Sequence, residues 1–123
     1  MKYRKMNDGV LEICDEEDSV IFSVSEEMID ESLVIKVSGE IINEVAHDFE
    51  DEVIAALSVC RSIIIDLSDV TYISSAVLKS LLSAQRIVDE DDSSQLLIKN
   101  VNSDVMKVFD ESGFSDILSI KSK

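Results

Sequence analysis

The first 32 residues carry two short apolar runs that acidic residues separate. Val10–Cys14 reads VLEIC and Ser19–Ser25 reads SVIFSVS, and the break between them is the acidic stretch Asp15–Asp18. Two β-branched runs joined by a short polar break are typical of a β-hairpin. A second acidic stretch, Glu26–Ser32, follows and predicts that the strand pattern is interrupted there.

Beyond residue 32, strand-like and helix-like patterns alternate. Leu33–Ser38 reads LVIKVS and predicts a central strand that ends at Gly39, and Asn43 is suited to cap the helix that follows. The remaining predicted elements are the strand Ser62–Leu67, a helix capped by Ser74 or Ser75 with the buried stripe Leu78, Leu81, Leu82, Gln85 and Val88, the strand Gln95–Lys99, a helix capped by Asn102 or Ser103 and ended by Gly113, and the strand Ile117–Ile120.

This order of elements predicts one α/β domain from about Val10 to Ile120. Strand–helix–strand units require crossover connections, so the later strands are expected to pair in parallel, while the closely spaced early strands are expected to pair antiparallel. The predicted fold is therefore a mixed β-sheet with helices packed against it. We expect residues 1–32 to form an extension with a hairpin within the same domain, and residues 33–120 to form its core.

Composition narrows the classes of partner. Apolar residues make up 46% of the 123 residues, which is typical of a globular domain. The chain has 11 Lys and Arg against 26 Asp and Glu, for a net charge of −15. Nucleic-acid phosphates and anionic membrane surfaces repel such a chain, so a basic protein surface is the expected electrostatic match.

Several kinds of site lack their sequence signature. The three glycines do not form a phosphate-binding loop, and no apolar run is long enough to span a bilayer. The N-terminal residues lack the apolar centre of a signal peptide. Cys14 and Cys60 have neither metal-ligand spacing nor a nearby histidine, and His47 is expected to be a solvated surface residue. We therefore expect a cytoplasmic protein without a cofactor or a metal site.

One stretch carries a family motif. Residues 64–82 read IIDLSDVTYISSAVLKSLL, a strand that leads through two serines into a helix. This resembles the STAS domains of bacterial anti-sigma-factor antagonists and sulfate transporters, in which a strand ends in D-L-s-x-V and is followed by D-S-S-G-L. Ser38–Ile41 reads SGEI and Val101–Gly113 reads VNSDVMKVFDESG, and both resemble further segments of the family in the same order.

The resemblance implies a function in regulation. In the family, a kinase that doubles as an anti-sigma factor phosphorylates the first serine of D-S-S-G, which corresponds to Ser75. The implied partner is therefore an anti-sigma factor of the serine-kinase type, bound by a bacterial transcription regulator. A serine at a strand-to-helix turn can carry a phosphate beside the positive end of the helix. The alternative is that Ser74 and Ser75 serve only as helix-capping residues.

The chain departs from the family motif at several positions. Ser74 replaces the aspartate, Ala76 the second serine and Val77 the glycine, while Ile42 replaces an aspartate that commonly follows G-E-L. These departures leave kinase recognition open. The resemblance therefore also allows a STAS scaffold or an accessory subunit of a transporter or stress-signalling complex, whereas an enzyme is not expected because no nucleophile–base pair or metal cluster is visible.

The interaction face is expected at the start of the second helix. It comprises Ser74, Ser75, Ala76 and Val77 with Lys79, and the loop with Glu40, Ile42 and Asn43 beside it. The loop is expected there because both segments follow strands predicted to be parallel neighbours. The sequence leaves open whether Val77 is an exposed anchor, and a change to aspartate is expected to weaken partner binding more than folding. Tyr72 and Ile73 are expected in the core.

Overall fold

The computed structural model describes residues 3–7, 9–17 and 19–122. Asp18, the last residue of the predicted acidic turn, lies outside the described residues. The elements are β1 (Tyr3–Asn7), β2 (Val10–Cys14), β3 (Val20–Ile29), β4 (Ser32–Ile41), a 3-10 turn (Asn43–Val45), α1 (Ala46–Val59), β5 (Ser62–Ile73), α2 (Ser75–Asp89), β6 (Gln95–Val101), α3 (Ser103–Ser112), a 3-10 turn (Phe114–Asp116) and β7 (Ile120–Ser122).

All seven of these strands form one mixed sheet in the order of the chain, from β1 to β7. The pairs from β1 to β4 are antiparallel, and those from β4 to β7 are parallel. The helices α1, α2 and α3 make the crossovers between parallel neighbours, as such connections require. The predicted α/β fold with a mixed sheet and an N-terminal hairpin is confirmed.

The N-terminal strands are longer and more numerous than the sequence pattern predicts. The strand β1 was not predicted, and the acidic stretch Glu26–Ser32 does not interrupt the sheet, because β3 continues to Ile29. Glu26 pairs with Ile35 and Glu27 with Val34 in an antiparallel ladder. Backbone pairing with the apolar strand β4 therefore outweighs the low strand propensity of the glutamates.

Gly39 lies within a strand rather than at its end, so the predicted strand end was wrong. Its φ is +103°, and a Cβ at this position would lie 2.5 Å from the backbone oxygen of Ile21. The register between β4 and β5 shifts at Gly39 and Glu40, which marks a bulge. Glycine permits this bend and close approach, and β4 continues to Ile41.

The core lies between one face of the sheet and the two central helices. Helix α1 contacts β4, β5 and α2, and α2 also contacts β6. The alternation of side chains along each strand places one apolar set on the helix side. Its buried members include Leu11, Ile13, Phe22, Val24, Leu33, Ile35, Val37, Ile63, Ile65, Leu67, Leu96 and Ile98.

The buried face of α2 is rotated relative to the prediction. Leu78, Leu81 and Val88 are buried as predicted, whereas Leu82 and Gln85 are half-buried. Val77 and Ala84 are buried instead. The rotation follows from packing, because α2 must cover the sheet and also contact α1.

Two further boundaries differ from the predictions. Asn43 does not cap α1, because it begins a 3-10 turn and α1 starts only at Ala46. The last strand is not Ile117–Ile120 but Ile120–Ser122, because Phe114–Asp116 forms another 3-10 turn after α3. Such single turns at helix ends leave little trace in a hydrophobic pattern.

Candidate functional site

The candidate site lies where the parallel strands β4 and β5 end. Ile41 and Ile73 are partners in the parallel ladder, and the backbone N–H of Ser74 donates a hydrogen bond to the carbonyl of Ile41 at 3.0 Å. The segment from Glu40 to Asn43 is therefore held next to the start of α2, as the parallel pairing predicted, but Glu40 and Ile41 belong to β4 and not to a loop.

The two serines at the start of α2 have opposite environments. Ser74 occupies the N-cap position with an extended backbone, is only 4% exposed, and its Oγ has no hydrogen-bond partner among the described residues. Ser75, the first residue of the helix, is exposed. The Ser75 hydroxyl is thus accessible to a partner, while the Ser74 side chain is not.

Val77 is fully buried, at 0% exposure, and belongs to the core cluster. It therefore cannot serve as an exposed anchor, and its place among the predicted contact residues was wrong. The expectation that Val77→Asp affects binding more than folding is therefore also wrong, because the aspartate charge would be buried among apolar side chains. The helix turns this residue inward, three positions after the N-cap.

The other predicted site residues lie around Ser75 with graded exposure. Glu40, Asn43 and Lys79 are exposed, whereas Ala76 and Ile42 are half-buried. Between α1 and α2 lies a shallow cleft of about 240 Å³, whose lining includes residues of both the loop and α2. Its lining residues are Asn43, Ala46, His47, Glu50, Ala76, Lys79, Ser80 and Ser83.

The sequence reading missed one residue of this surface. Tyr72 is 50% exposed and pairs in register with Glu40, so its placement in the core was wrong, whereas Ile73 is buried as predicted. Tyrosine is enriched at protein interfaces because its ring is apolar and its hydroxyl is polar. Strict strand alternation would not have been a valid guide to this, because the register with β4 shifts along this part of β5: Val70 is buried, whereas Thr71 and Tyr72 are both exposed.

A second helix, α3, begins at the same edge of the sheet. Its N-cap residue Asn102 accepts a hydrogen bond from the backbone N–H of Val105 at 2.9 Å and donates one to the carbonyl of Val70 at 2.8 Å. Asp104 supplies a carboxylate in its first turn. By contrast, α2 has neither a side-chain cap nor an acidic residue in its first turn. The start of α2 therefore keeps its positive end without compensation by these side-chain groups.

The charged groups near this edge include His47 and Glu50 on α1. His47 is 93% exposed at its side chain, and its Nδ1 lies 3.7 Å from Glu50 Oε2, which matches the predicted surface role. No group of three or more His, Cys, Asp or Glu side chains within residues 3–7, 9–17 and 19–122 could hold a metal ion. Within those ranges, no helix has the length and apolarity needed to cross a membrane.

Comparison with known sequences identifies one family. The family model described as Mlab, STAS domain matches residues 24–119 of this chain. No curated protein sequence is significantly similar to the chain.

Solved structures share the fold at low sequence identity. An anti-sigma factor antagonist from Mycobacterium paratuberculosis matches with a TM-score of 0.75 and 20% identity, over 83% of this chain and 86% of that protein. The Bacillus cell fate determinant SpoIIAA in its phosphorylated form matches with a TM-score of 0.60 and 18% identity, over 81% and 92% of the two chains. A sulfate transporter family protein from Wolinella succinogenes matches with a TM-score of 0.64 and 14% identity, over 77% and 80%.

Proposed function

This chain belongs to the STAS domain family, and we propose that it is a regulatory protein-interaction domain of the anti-sigma-factor-antagonist kind, switched by phosphorylation of Ser75. The proposed partner is an anti-sigma factor of the serine-kinase type, which the domain occupies so that a sigma factor is released. The proposed role is in cytoplasmic transcription regulation and involves no catalysis by this chain. A solved relative in a phosphorylated form, SpoIIAA, supports the phosphorylation step.

The environment of Ser75 is the observation that carries this proposal. Ser75 is exposed at the first position of α2, a helix whose N-terminus has no side-chain cap and no carboxylate in its first turn. Backbone N–H groups and the helix dipole favour negative charge at such a position. A phosphate on Ser75 would therefore be compatible with the fold, and it would add about −1.5 to −2 charges to the docking surface.

Two of the four departures from the family motif lie beneath this surface. Ser74 and Val77 are both buried, so a partner does not contact their side chains directly. Contact would instead involve Ser75, Glu40, Lys79 and the half-exposed Tyr72. We propose that these exposed side chains, together with Asn43 and the half-buried Ala76 and Ile42, form the docking surface.

Binding of serine variants tests the switch. Kinase-type anti-sigma factors captured from the native lysate would be purified, and their affinities for the parent, Ser75→Ala and Ser75→Asp would be measured by calorimetry. We expect Ser75→Ala to bind like the parent and Ser75→Asp to bind at least about tenfold more weakly, since a new charge would lie within a desolvated interface. Mass spectrometry of the chain from growing and stressed cells would detect the modification itself.

Ser103→Asp is the matched control. Ser103 is also an exposed first residue of a helix at the same sheet edge, but it follows Asn102 and precedes Asp104. We expect this variant to bind like the parent. If Ser75 is never modified and Ser75→Asp binds with the parent's affinity, the switch proposal is wrong.

A second candidate is a STAS scaffold or accessory subunit of a transporter or stress-signalling complex. The replacement of the motif aspartate by the buried Ser74 favours it, as does the structural likeness to a sulfate transporter family protein. This role predicts co-purification with a permease or a large assembly, and equal binding by the Ser75 variants.

We also propose that residues 1–32 belong to the same domain as the core at residues 33–120. The strand β1 pairs with β2, β2 with β3, and β3 with β4 of the core, which supports the assignment to one domain. Limited proteolysis tests it, because a separate extension would be removed while the core stays intact.

A further inference from the structure

A cleft of about 350 Å³ lies between the N-terminal strands and α1, on elements that the docking surface does not use. Its lining residues Arg4, Met6, Gly9 and Leu11 precede the part of the chain that matches the family model. The cleft therefore depends on the N-terminal extension. Its volume is at the lower end of the range of about 300–1,000 Å³ that is typical of ligand sites.

The floor of the cleft is apolar. Met6, Leu11 and Val24 lie opposite one another across β1, β2 and β3, in register. Leu11 and Val24 are buried, whereas Met6 is 66% exposed. A flexible methionine over a buried apolar base is a surface that adapts to an aliphatic chain.

The rim of the cleft carries two carboxylates and one cation. Arg4 Nη2 lies 3.1 Å from Glu52 Oε1, so this pair satisfies one oxygen of Glu52. Glu26, on β3, has no cation within 4.0 Å among the residues that the structure describes. Desolvation, and then the negative charge of Glu52, raise the pKa of Glu26 above its ordinary value. The rim thus has an uncompensated negative charge near Glu26.

We propose that this cleft binds a lysine side chain of a protein partner, with the aliphatic stem over Met6, Leu11 and Val24 and the ammonium group near Glu26 and Glu52. A lysine stem packs on apolar surface while its charged end remains at the polar rim. The ammonium group would supply the cation that Glu26 lacks. The net charge of −15 favours a basic partner in general, and this cleft provides one defined position for it.

Methyl NMR of the full chain with labelled methionines tests the proposal. The probe is Nα-acetyl-lysine N-methylamide, and its Nε-acetylated form is the matched uncharged probe. We expect the charged probe to shift the Met6 methyl resonance saturably, while Met106 on α3 stays unchanged. We expect the uncharged probe to bind several-fold more weakly, since it keeps the stem but not the charge.

Two neighbouring glutamates provide the variant and its control. Glu26→Gln keeps the shape of the side chain and relieves the repulsion from Glu52, and it is expected to weaken probe binding about threefold. Glu27 lies on the opposite face of β3, so Glu27→Gln is expected to leave the affinity for the charged probe unchanged. Equal binding of the two probes, an equal effect of the two variants, or the absence of a saturable Met6 shift would each overturn the proposal.

Discussion

Two of the helices that begin at the carboxyl edge of the sheet, α2 and α3, start in different ways. Asn102 closes the start of α3 by accepting a hydrogen bond from Val105 and donating one to Val70. Ser74 occupies the corresponding position of α2, but its buried Oγ makes no hydrogen bond within the described part of the chain. One helix start is therefore completed by a side chain, whereas the other is held by backbone hydrogen bonds, from Ser74 to Ile41 and from Val77 to Ser74.

This difference supports the proposal that the start of α3 is structural, whereas the start of α2 accommodates a modification. At α3 the side-chain cap and Asp104 already compensate the positive end of the helix. At α2 the first exposed side chain is the Ser75 hydroxyl, and the uncompensated N-terminus lies beneath it. The local sequences Ser-Ser and Asn-Ser are similar. However, the side chain of Asn102 accepts a hydrogen bond from a backbone N–H of its own helix, whereas that of Ser74 does not.

The largest expected effect tests whether the two helices are equally well packed. Val77 and Val105 are the third residues of α2 and α3, and they are 0% and 2% exposed. Val77→Asp and Val105→Asp would each bury an unpaired charge and are expected to lower the free energy of unfolding by about 3–5 kcal/mol. Urea unfolding checks this, with Lys79→Asp as an exposed control that should change stability little. A small loss for Val77→Asp would contradict its burial.

Truncation of the two caps gives the most direct comparison. Asn102→Ala removes two hydrogen bonds and is expected to cost about 1–2 kcal/mol of unfolding free energy. Ser74→Ala removes a buried hydroxyl that has no hydrogen-bond partner among the described residues, and it is expected to be neutral or slightly stabilising. Chemical denaturation of both variants measures the difference, and equal losses would show that Ser74 caps α2 after all.

The stability of the fold is expected to depend on pH through Asp66. This residue lies on β5, which leads into α2, and it is close to groups on β6, which leads into α3. Burial raises the pKa of Asp66 as the largest single influence, but hydrogen bonds from Ser68 and Asn100 and the charge of Lys99 together lower it below its ordinary value. A lowered pKa in the folded state adds stability above the unfolded pKa of about 4, and this stability is lost as the pH falls through the folded pKa.

The variant Asp66→Asn should therefore be less stable than the parent at neutral pH, and the difference should shrink as the pH falls below about 4. Urea unfolding of both proteins between neutral and acid pH measures it. A difference that stays constant over this range would mean that the ionisation of Asp66 does not stabilise the fold.

The smallest expected effect is that of a negative charge at the first helical position. Ser75→Asp is expected to stabilise the fold by about 0.3–1 kcal/mol, because it compensates an uncapped helix. Ser103→Asp should give less, because Asp104 and Asn102 already act there. Thermal unfolding at low and high salt checks both variants, because salt screens the attraction between the added carboxylate and the positive end of the helix. A loss of stability in Ser75→Asp would argue that this helix start does not accommodate a phosphate.

Much of the architecture was predictable from the residues. The β-branched runs and helical stripes correctly indicated the mixed sheet, and Gly113 correctly marked the end of α3, while the structure selects Asn102 over Ser103 as its cap. These signals are local, because a cap or a left-handed glycine acts on backbone groups within a few residues. The extent of β3 and the passage of β4 through Gly39 were not predictable in this way, since both depend on pairing with a neighbouring strand.

For the candidate site, the sequence by itself determined the position of the helix start and the serine that resembles the family's modified residue. Only the tertiary structure decided that Ser75 is exposed while Ser74 and Val77 are buried, and that Tyr72 faces outward. Residues 72–77 join a strand to a helix. Side chains alternate with a period of 2 in a strand and of 3.6 in a helix, so which of these side chains face outward depends on where the strand ends and the helix begins. That boundary is set by the hydrogen bond to Ile41 and by packing against the core, which involve residues distant in the chain.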